Sequence, residues 1–112
     1  MVNHFTLGLT SGTALVIANA LQAAGISPGE LGLRNKLRYC SIQAHVDNAA
    51  VIYVGGSLRT LSSTDYGYRI EIPVTTIPYA PTVIELGPGV VTLGDLQVLG
   101  TTGDNIQIMV AF

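Results

Sequence analysis

Asn105-Ile-Gln-Ile-Met-Val-Ala-Phe112 is the stretch whose reading decides the fold. Ile106, Ile108, Val110 and Phe112 occupy every second position, with Gln107, Met109 and Ala111 between them. Side chains alternate between the two faces of a strand, whereas a helix would scatter these four around its circumference. The pattern therefore predicts a strand with one apolar and one mixed face. Just upstream, Leu96-Gln-Val-Leu99 is a second short apolar run. The five residues between them, Gly100-Thr-Thr-Gly-Asp104, are turn formers, and the whole reads as a hairpin.

The same period extends towards the N-terminus. Lys36 to Val46 reads as a strand with Cys40, Ile42, Ala44 and Val46 on one face. Asp47-Asn48 turns the chain, and Ala50 to Val54 returns as a branched, aromatic strand ending at Gly55-Gly56. Tyr68 to Ile72 alternates again until Pro73 constrains its end, and Thr82 to Leu86 stops at Gly87-Pro-Gly89. Phe5 to Leu9 reads as the first strand, after an extended N-terminal segment. Residues 13 to 24 are ambiguous. Their alanines and the following Gly25 fit a helix with a glycine stop, while Leu15-Val16-Ile17 fits a strand. In a chain otherwise made of strands we expect strand over Thr13 to Asn19, followed by a long loop over residues 21–35. About eight short strands separated by Gly/Pro turns predict an all-β antiparallel sandwich, with a jelly roll as the specific architecture. At 112 residues, without an internal repeat or linker, residues 1–112 are expected to form a single β-sandwich domain.

Charge is scarce. Five Lys/Arg and seven Asp/Glu make 11% of the chain, where an ordinary soluble domain has about a quarter. A surface this pale is expected to be covered by protein, in an assembly. A net charge of −2 argues against a general nucleic-acid binder. The longest apolar run, Ala49 to Gly56, is far short of the roughly 20 residues that span a bilayer. The N-terminus lacks the cationic start and long apolar core of a secretory signal. A lone cysteine excludes an internal disulfide and is compatible with a reducing cytoplasm. Its place in an alternating run makes Cys40 a small core residue rather than a nucleophile.

The residues that carry chemistry elsewhere are dispersed. His4, His45 and Cys40 fall at no metal-ligand spacing, and His45 beside Asp47 is weighed as a local polar pair against a surface histidine, the reading preferred. Ser11 and Ser57 lack the strand-turn-helix setting of an activated serine. The seven acids stand singly, and Gly87-Pro-Gly89 lacks the lysine and helix of a phosphate loop. No enzyme, metal or cofactor is expected.

Arg34, Lys36 and Arg38 are the exception, three of the five cations within five residues. On an extended chain they project to one side and offer a contact for an acidic partner. The plainer alternative is a charged edge that discourages sheet-to-sheet aggregation. Five tyrosines raise a sugar-binding reading, but they are scattered and tryptophan is absent. Tyr53 and Tyr39 are expected in the sandwich, with Tyr66 and Tyr68 exposed around Gly67. Phe5 and Phe112 are weighed as terminal anchors against an ordinary place in core strands.

Ser41-Ile-Gln-Ala-His-Val-Asp-Asn-Ala-Ala-Val-Ile-Tyr-Val-Gly-Gly-Ser57 resembles a pattern in small structural proteins of tailed bacteriophages. Its parts are an IQA strand, a turn containing DN, and VIYVGGS. The order downstream is similar: a GPG turn at Gly87 to Gly89, Asp95 to Gly100, and a terminal strand after Asp104. Thr10-Ser-Gly-Thr-Ala14 matches the opening of such chains. These motifs mark strands and turns, not reactive groups. The best match is a capsid decoration, or cement, protein. That resemblance implies a small β-sandwich, dimeric or trimeric, on the outer surface of the virion. It would bind the major capsid protein of the assembled head, without contacting nucleic acid or membrane, after synthesis in the host cytoplasm. Residues 21–35 and 73–81 depart from the pattern, so no contact residue carries over to them. A tail or baseplate structural protein and a carbohydrate-binding jelly roll are the alternatives.

Overall fold

The terminal alternation is a central strand of the structure. In the computed structural model, which describes residues 2–26, 37–45, 47–71, 83–86 and 92–111, Asn105–Ala111 is the last of eight strands. In chain order these are β1 (Val2–Gly8), β2 (Leu15–Val16), β3 (Tyr39–Ala44), β4 (Ile52–Gly56), β5 (Tyr68–Ile70), β6 (Val83–Leu86), β7 (Leu96–Leu99) and β8 (Asn105–Ala111). One helix, α1 (Ile17–Ala23), follows β2, and a single 3-10 turn, Leu93–Asp95, precedes β7. The strands form two antiparallel four-stranded sheets, ordered β1-β8-β3-β6 (sheet A) and β2-β7-β4-β5 (sheet B). The expected pair of antiparallel sheets is present, in a mostly β structure with one short helix.

Alternation places one face of each sheet in a shared core. Phe5, Leu7, Cys40, Ile42, Ala44, Ile106, Ile108 and Val110 enter from sheet A, and Ile52, Val54, Ile70, Leu96 and Val98 from sheet B. Each of the larger side chains contributes about 1.5–3 kcal/mol by leaving water. Phe5 is thus a core residue and not a terminal anchor, whereas Phe112 lies outside the described residues. The first strand begins at Val2, so the N-terminal segment is paired: Val2 stands opposite Ala111 and Gly8 opposite Asn105.

Two connections differ from expectation. Gly100 to Asp104 does not close a hairpin, because β7 pairs with β2 and β4 while β8 pairs with β1 and β3. The turn instead carries the chain from one sheet to the other. Asp47-Asn48 does the same between β3 in sheet A and β4 in sheet B. Gly100 stands where the chain crosses: a Cβ there would lie 2.5 Å from Leu9 Cδ1 and 2.6 Å from Ile52 Cδ1. A Cβ at this position would force those two core side chains to shift.

Residues 13–24 are the third correction. Strand is limited to Leu15–Val16, paired with Val98 and Gln97, and Ile17 to Asn19 belong to α1. Ile17, Ala18 and Leu21 share its buried face while Asn19, Gln22 and Ala23 are exposed, the spacing of an amphipathic helix. The helix ends where glycine permits it. Gly25 has φ +96°, its N–H donates to Gln22 O at 3.0 Å, and Ile26 N–H donates to Leu21 O at 3.1 Å. That pair of bonds is a Schellman ending, completed by Ile26 packing against the core. The long loop expected over 21–35 therefore starts as helix, and residues 27–35 of it lie outside the described residues.

Candidate interaction surface

The two sheets present unlike outer faces. On sheet A the outward positions are Val2, His4, Thr6 and Gly8 of β1, Asn105, Gln107, Met109 and Ala111 of β8, Tyr39, Ser41 and Gln43 of β3, and Glu85 of β6. Glu85 is the one Asp, Glu, Lys or Arg among these described residues, and Tyr39 Oη donates to its Oε1 at 3.1 Å. Thr6 Oγ1 donates to Gln107 Oε1 at 3.3 Å across the β1/β8 pair. Val2 and Met109 stand exposed at 68% and 42%. The face is therefore a mosaic of short polar and apolar groups with almost no charge.

Among the described residues, sheet B and its β4–β5 loop hold the two arginine–carboxylate pairs, and His45 Nδ1 lies 3.7 Å from Asp47 Oδ2 at the β3–β4 turn. Arg69 Nε lies 2.9 Å from Glu71 Oε1, and Arg59 Nε lies 3.4 Å from Asp65 Oδ2. Tyr53 shares a cross-strand row with Leu99 and Arg69. The Tyr66 ring packs on Tyr53 at a centroid distance of 4.9 Å, tilted by 50°. Tyr66 and Tyr68 are both exposed, as expected, while Tyr39 and Tyr53 are half-buried. Beside Tyr66 opens a cleft of about 620 Å³ lined by Arg59, Leu61, Asp65, Asp95 and the glycines 55, 56 and 67. Leu58 projects at its rim, 98% exposed.

Several other charged and polar groups among the described residues serve the scaffold. Asn48 Nδ2 donates to Asn105 O at 2.8 Å, and Asn48 Oδ1 accepts from Asn105 N–H at 2.8 Å. Asp104 accepts from Ala49 N–H at 2.8 Å and from Ala50 N–H at 3.1 Å. Both side chains are buried, and together they tie the two sheet-crossing turns to each other. Asp95 Oδ2 accepts from Thr92 N–H at 2.9 Å and holds the 3-10 turn. His45 Nδ1 accepts from Asp47 N–H at 3.2 Å, a local bond on a partly exposed side chain.

Cys40 is fully buried, and its desolvation pushes the thiol up to about 11, so it stays neutral and inert. His4 points out of sheet A while Cys40 points in, which separates two of the expected soft ligands. No group of three or more His, Cys, Asp or Glu residues able to hold a metal occurs among the described residues. No helix among them is long and apolar enough to cross a membrane.

Of the cation cluster, Arg38 is described. It is exposed immediately before β3, and its backbone N–H donates to Ala111 O at 2.7 Å. Arg34 and Lys36 lie outside the described residues, as do Tyr79 and Val46. The pale face of sheet A was not singled out from the sequence. Its signal was the outward set of each alternation, read with the knowledge that β1, β8 and β3 are neighbours. Comparison with protein-family models, curated proteins and solved structures finds no match in any of the three.

Proposed function

We propose that this chain is a non-enzymatic capsid decoration, or cement, protein that binds the outside of an assembled phage head. There it stabilises contacts between major capsid protein subunits, as a homo-oligomer and without a cofactor. The observation that carries the reading is the outer face of sheet A, where Glu85 is the one formal charge among the described residues. Interface centres are depleted in charge, and this face offers uncharged hydrogen-bonding groups and small apolar groups instead. Binding to the assembled shell alone shifts assembly by mass action, so many moderate contacts suffice and no turnover is needed. The resemblance around Ser41 to Ser57 supplies the kind of partner.

The jelly-roll reading belongs to the same proposal. The antiparallel pairs β1·β8, β2·β7, β3·β6 and β4·β5 are those of one long eight-stranded hairpin. Rolling that hairpin so that successive pairs alternate between sheets adds β8·β3 and β7·β4, both of which are present. This order supports a jelly roll over other sandwiches.

The test is to mix purified protein with undecorated mature capsids and image them. Ordered added density on the head is expected. A bare head would sink the proposal, and density on the tail would transfer the protein to the tail or baseplate class. One observation favours a carbohydrate-binding module instead: the cleft beside exposed Tyr66, with Arg59 and Asp65 at hand for hydroxyl groups. A glycan array separates the two, since cementing predicts no sugar dependence.

A further inference from the structure

Four strands form the sheet edges, and they are not alike. β2 has two residues, β5 three and β6 four, and the last two carry Arg69 and Glu85. β1 has seven residues, Val2-Asn-His-Phe-Thr-Leu-Gly8, with no proline and no Lys, Arg, Asp or Glu. Soluble proteins guard long edges with just those residues, because an open ladder recruits another strand.

The hydrogen-bond parity shows which groups face outward. His45 N–H donates to Asn105 O at 3.1 Å, so Asn105, Gln107, Met109 and Ala111 turn their backbone groups to β3. Ile106, Ile108 and Val110 then turn theirs to β1, opposite Leu7, Phe5 and Asn3. Leu9 agrees: its N–H donates to Asp104 O at 2.8 Å and its O accepts from Gly103 N–H at 2.9 Å. Val2, His4, Thr6 and Gly8 therefore direct N–H and C=O away from the sheet. Among the described residues no strand pairs with them. The His4 N–H is met locally by Asn3 Oδ1 at 3.0 Å.

We propose that β1 is a dimerisation edge: two copies pair antiparallel about a two-fold axis at Phe5, joining their A sheets into one. An isologous contact must complement itself, and an uncharged edge never sets a charge against its own copy. Centring on Phe5 is the register that uses all four outward residues. It sets Val2 against the partner's Gly8 and His4 against the partner's Thr6. Phe5 itself stays in the core of its own protomer at 6% exposure, so the backbone ladder and the outward side chains carry the contact. The outer faces of both A sheets become one continuous pale surface. The inference deepens the homo-oligomer part of the function proposed above and does not depend on the shell. A monomer in solution would remove the dimer, whereas a bare head in capsid imaging would remove the cement reading and leave the dimer standing.

Sedimentation equilibrium of the full chain tests it, with a concentration-dependent dimer expected. The side chains at positions 4 and 6 are exposed, so charges there spare the core. In the Phe5 register, His4→Glu/Thr6→Glu sets like charges opposite each other twice, and dissociation is expected to rise by about tenfold or more. His4→Glu/Thr6→Lys sets opposite charges together twice and is expected to stay within about threefold of wild type. A register centred on His4 or Thr6 reverses that second outcome. In the wild type, amide exchange of Thr6 and Gly8 is expected to slow as concentration rises. A monomer at every concentration, equal effects of the two double variants, or concentration-independent exchange would each overturn the proposal.

Discussion

Asp104 is one of seven acidic residues in a chain short of charge, yet it is 5% exposed. A carboxylate is driven inside only when its oxygens are occupied, and here the N–H groups of Ala49 and Ala50 occupy them. Those donors belong to the β3–β4 crossing, whereas Asp104 belongs to the β7–β8 crossing, so one side chain fixes the spacing of two turns. Asp104→Asn keeps the shape but replaces an acceptor with an NH2 group that faces a donor. It is expected to cost about 1–3 kcal/mol, read as a lower urea midpoint at unchanged slope. Asp47→Asn is the control. Asp47 is exposed, and among the described residues its carboxylate meets only His45 Nδ1, 3.7 Å away within the same turn, so a change below about 0.5 kcal/mol is expected. Nothing in Gly-Asp-Asn or Asp-Asn as strings separates these roles. Both read as turn residues, and burial became visible only once the turns were stacked.

At the scale of elements, alternation was legible because it is local. Leu96 to Leu99 and the inward set Ile106, Ile108 and Val110 are where the pattern puts them. Pairing was not legible, because turn chemistry says that the chain reverses and not which strand it meets next. β7 and β8 adjoin in sequence and lie in different sheets, and Gly100, on the connection, passes close to Leu9 and Ile52. The same limit hid the pale face, which exists only because β1, β8 and β3 are neighbours. In residues 13–24 two local preferences competed, and the burial of Ile17 and Leu21 together with the Gly25 ending resolved them as helix. That ending can be tested cleanly. A Cβ on Gly25 would meet nothing within 4 Å, so Gly25→Ala costs only the strain of φ +96°, about 1–2 kcal/mol. Gly12 also has open space but no positive φ, and Gly12→Ala is expected to be neutral or mildly stabilising. Equal thermal midpoints for the two variants would show that the helix does not depend on its glycine.

At the scale of the whole molecule, the scarcity of charge resolves into a distribution. Arg59 and Arg69 are committed to carboxylates on the sheet B side, Asp95 and Asp104 to turns, and the sheet A face carries Glu85 alone among the described residues. Arg34, Lys36 and Arg38 form the one sequence cluster of a single sign, and Arg38 stands exposed where the chain enters sheet A. If this cluster steers the protein to an acidic patch of the shell, the attraction acts across solvent and salt must weaken it. The screening length falls from about 30 Å at 0.01 M to about 8 Å at 0.15 M. Exposed charge pairs contribute about 0–1 kcal/mol each, so Arg34→Gln/Lys36→Gln/Arg38→Gln is expected to weaken capsid binding by about tenfold or more at low salt. The loss should shrink to about twofold above physiological salt. Arg59→Gln/Arg69→Gln distinguishes a local patch from net charge, because it removes cations already held by their own carboxylates. A capsid-binding titration in which both variants lose affinity in proportion to charge removed would assign the effect to net charge. Unchanged affinity of the triple variant at every salt would remove the cluster from the proposed contact.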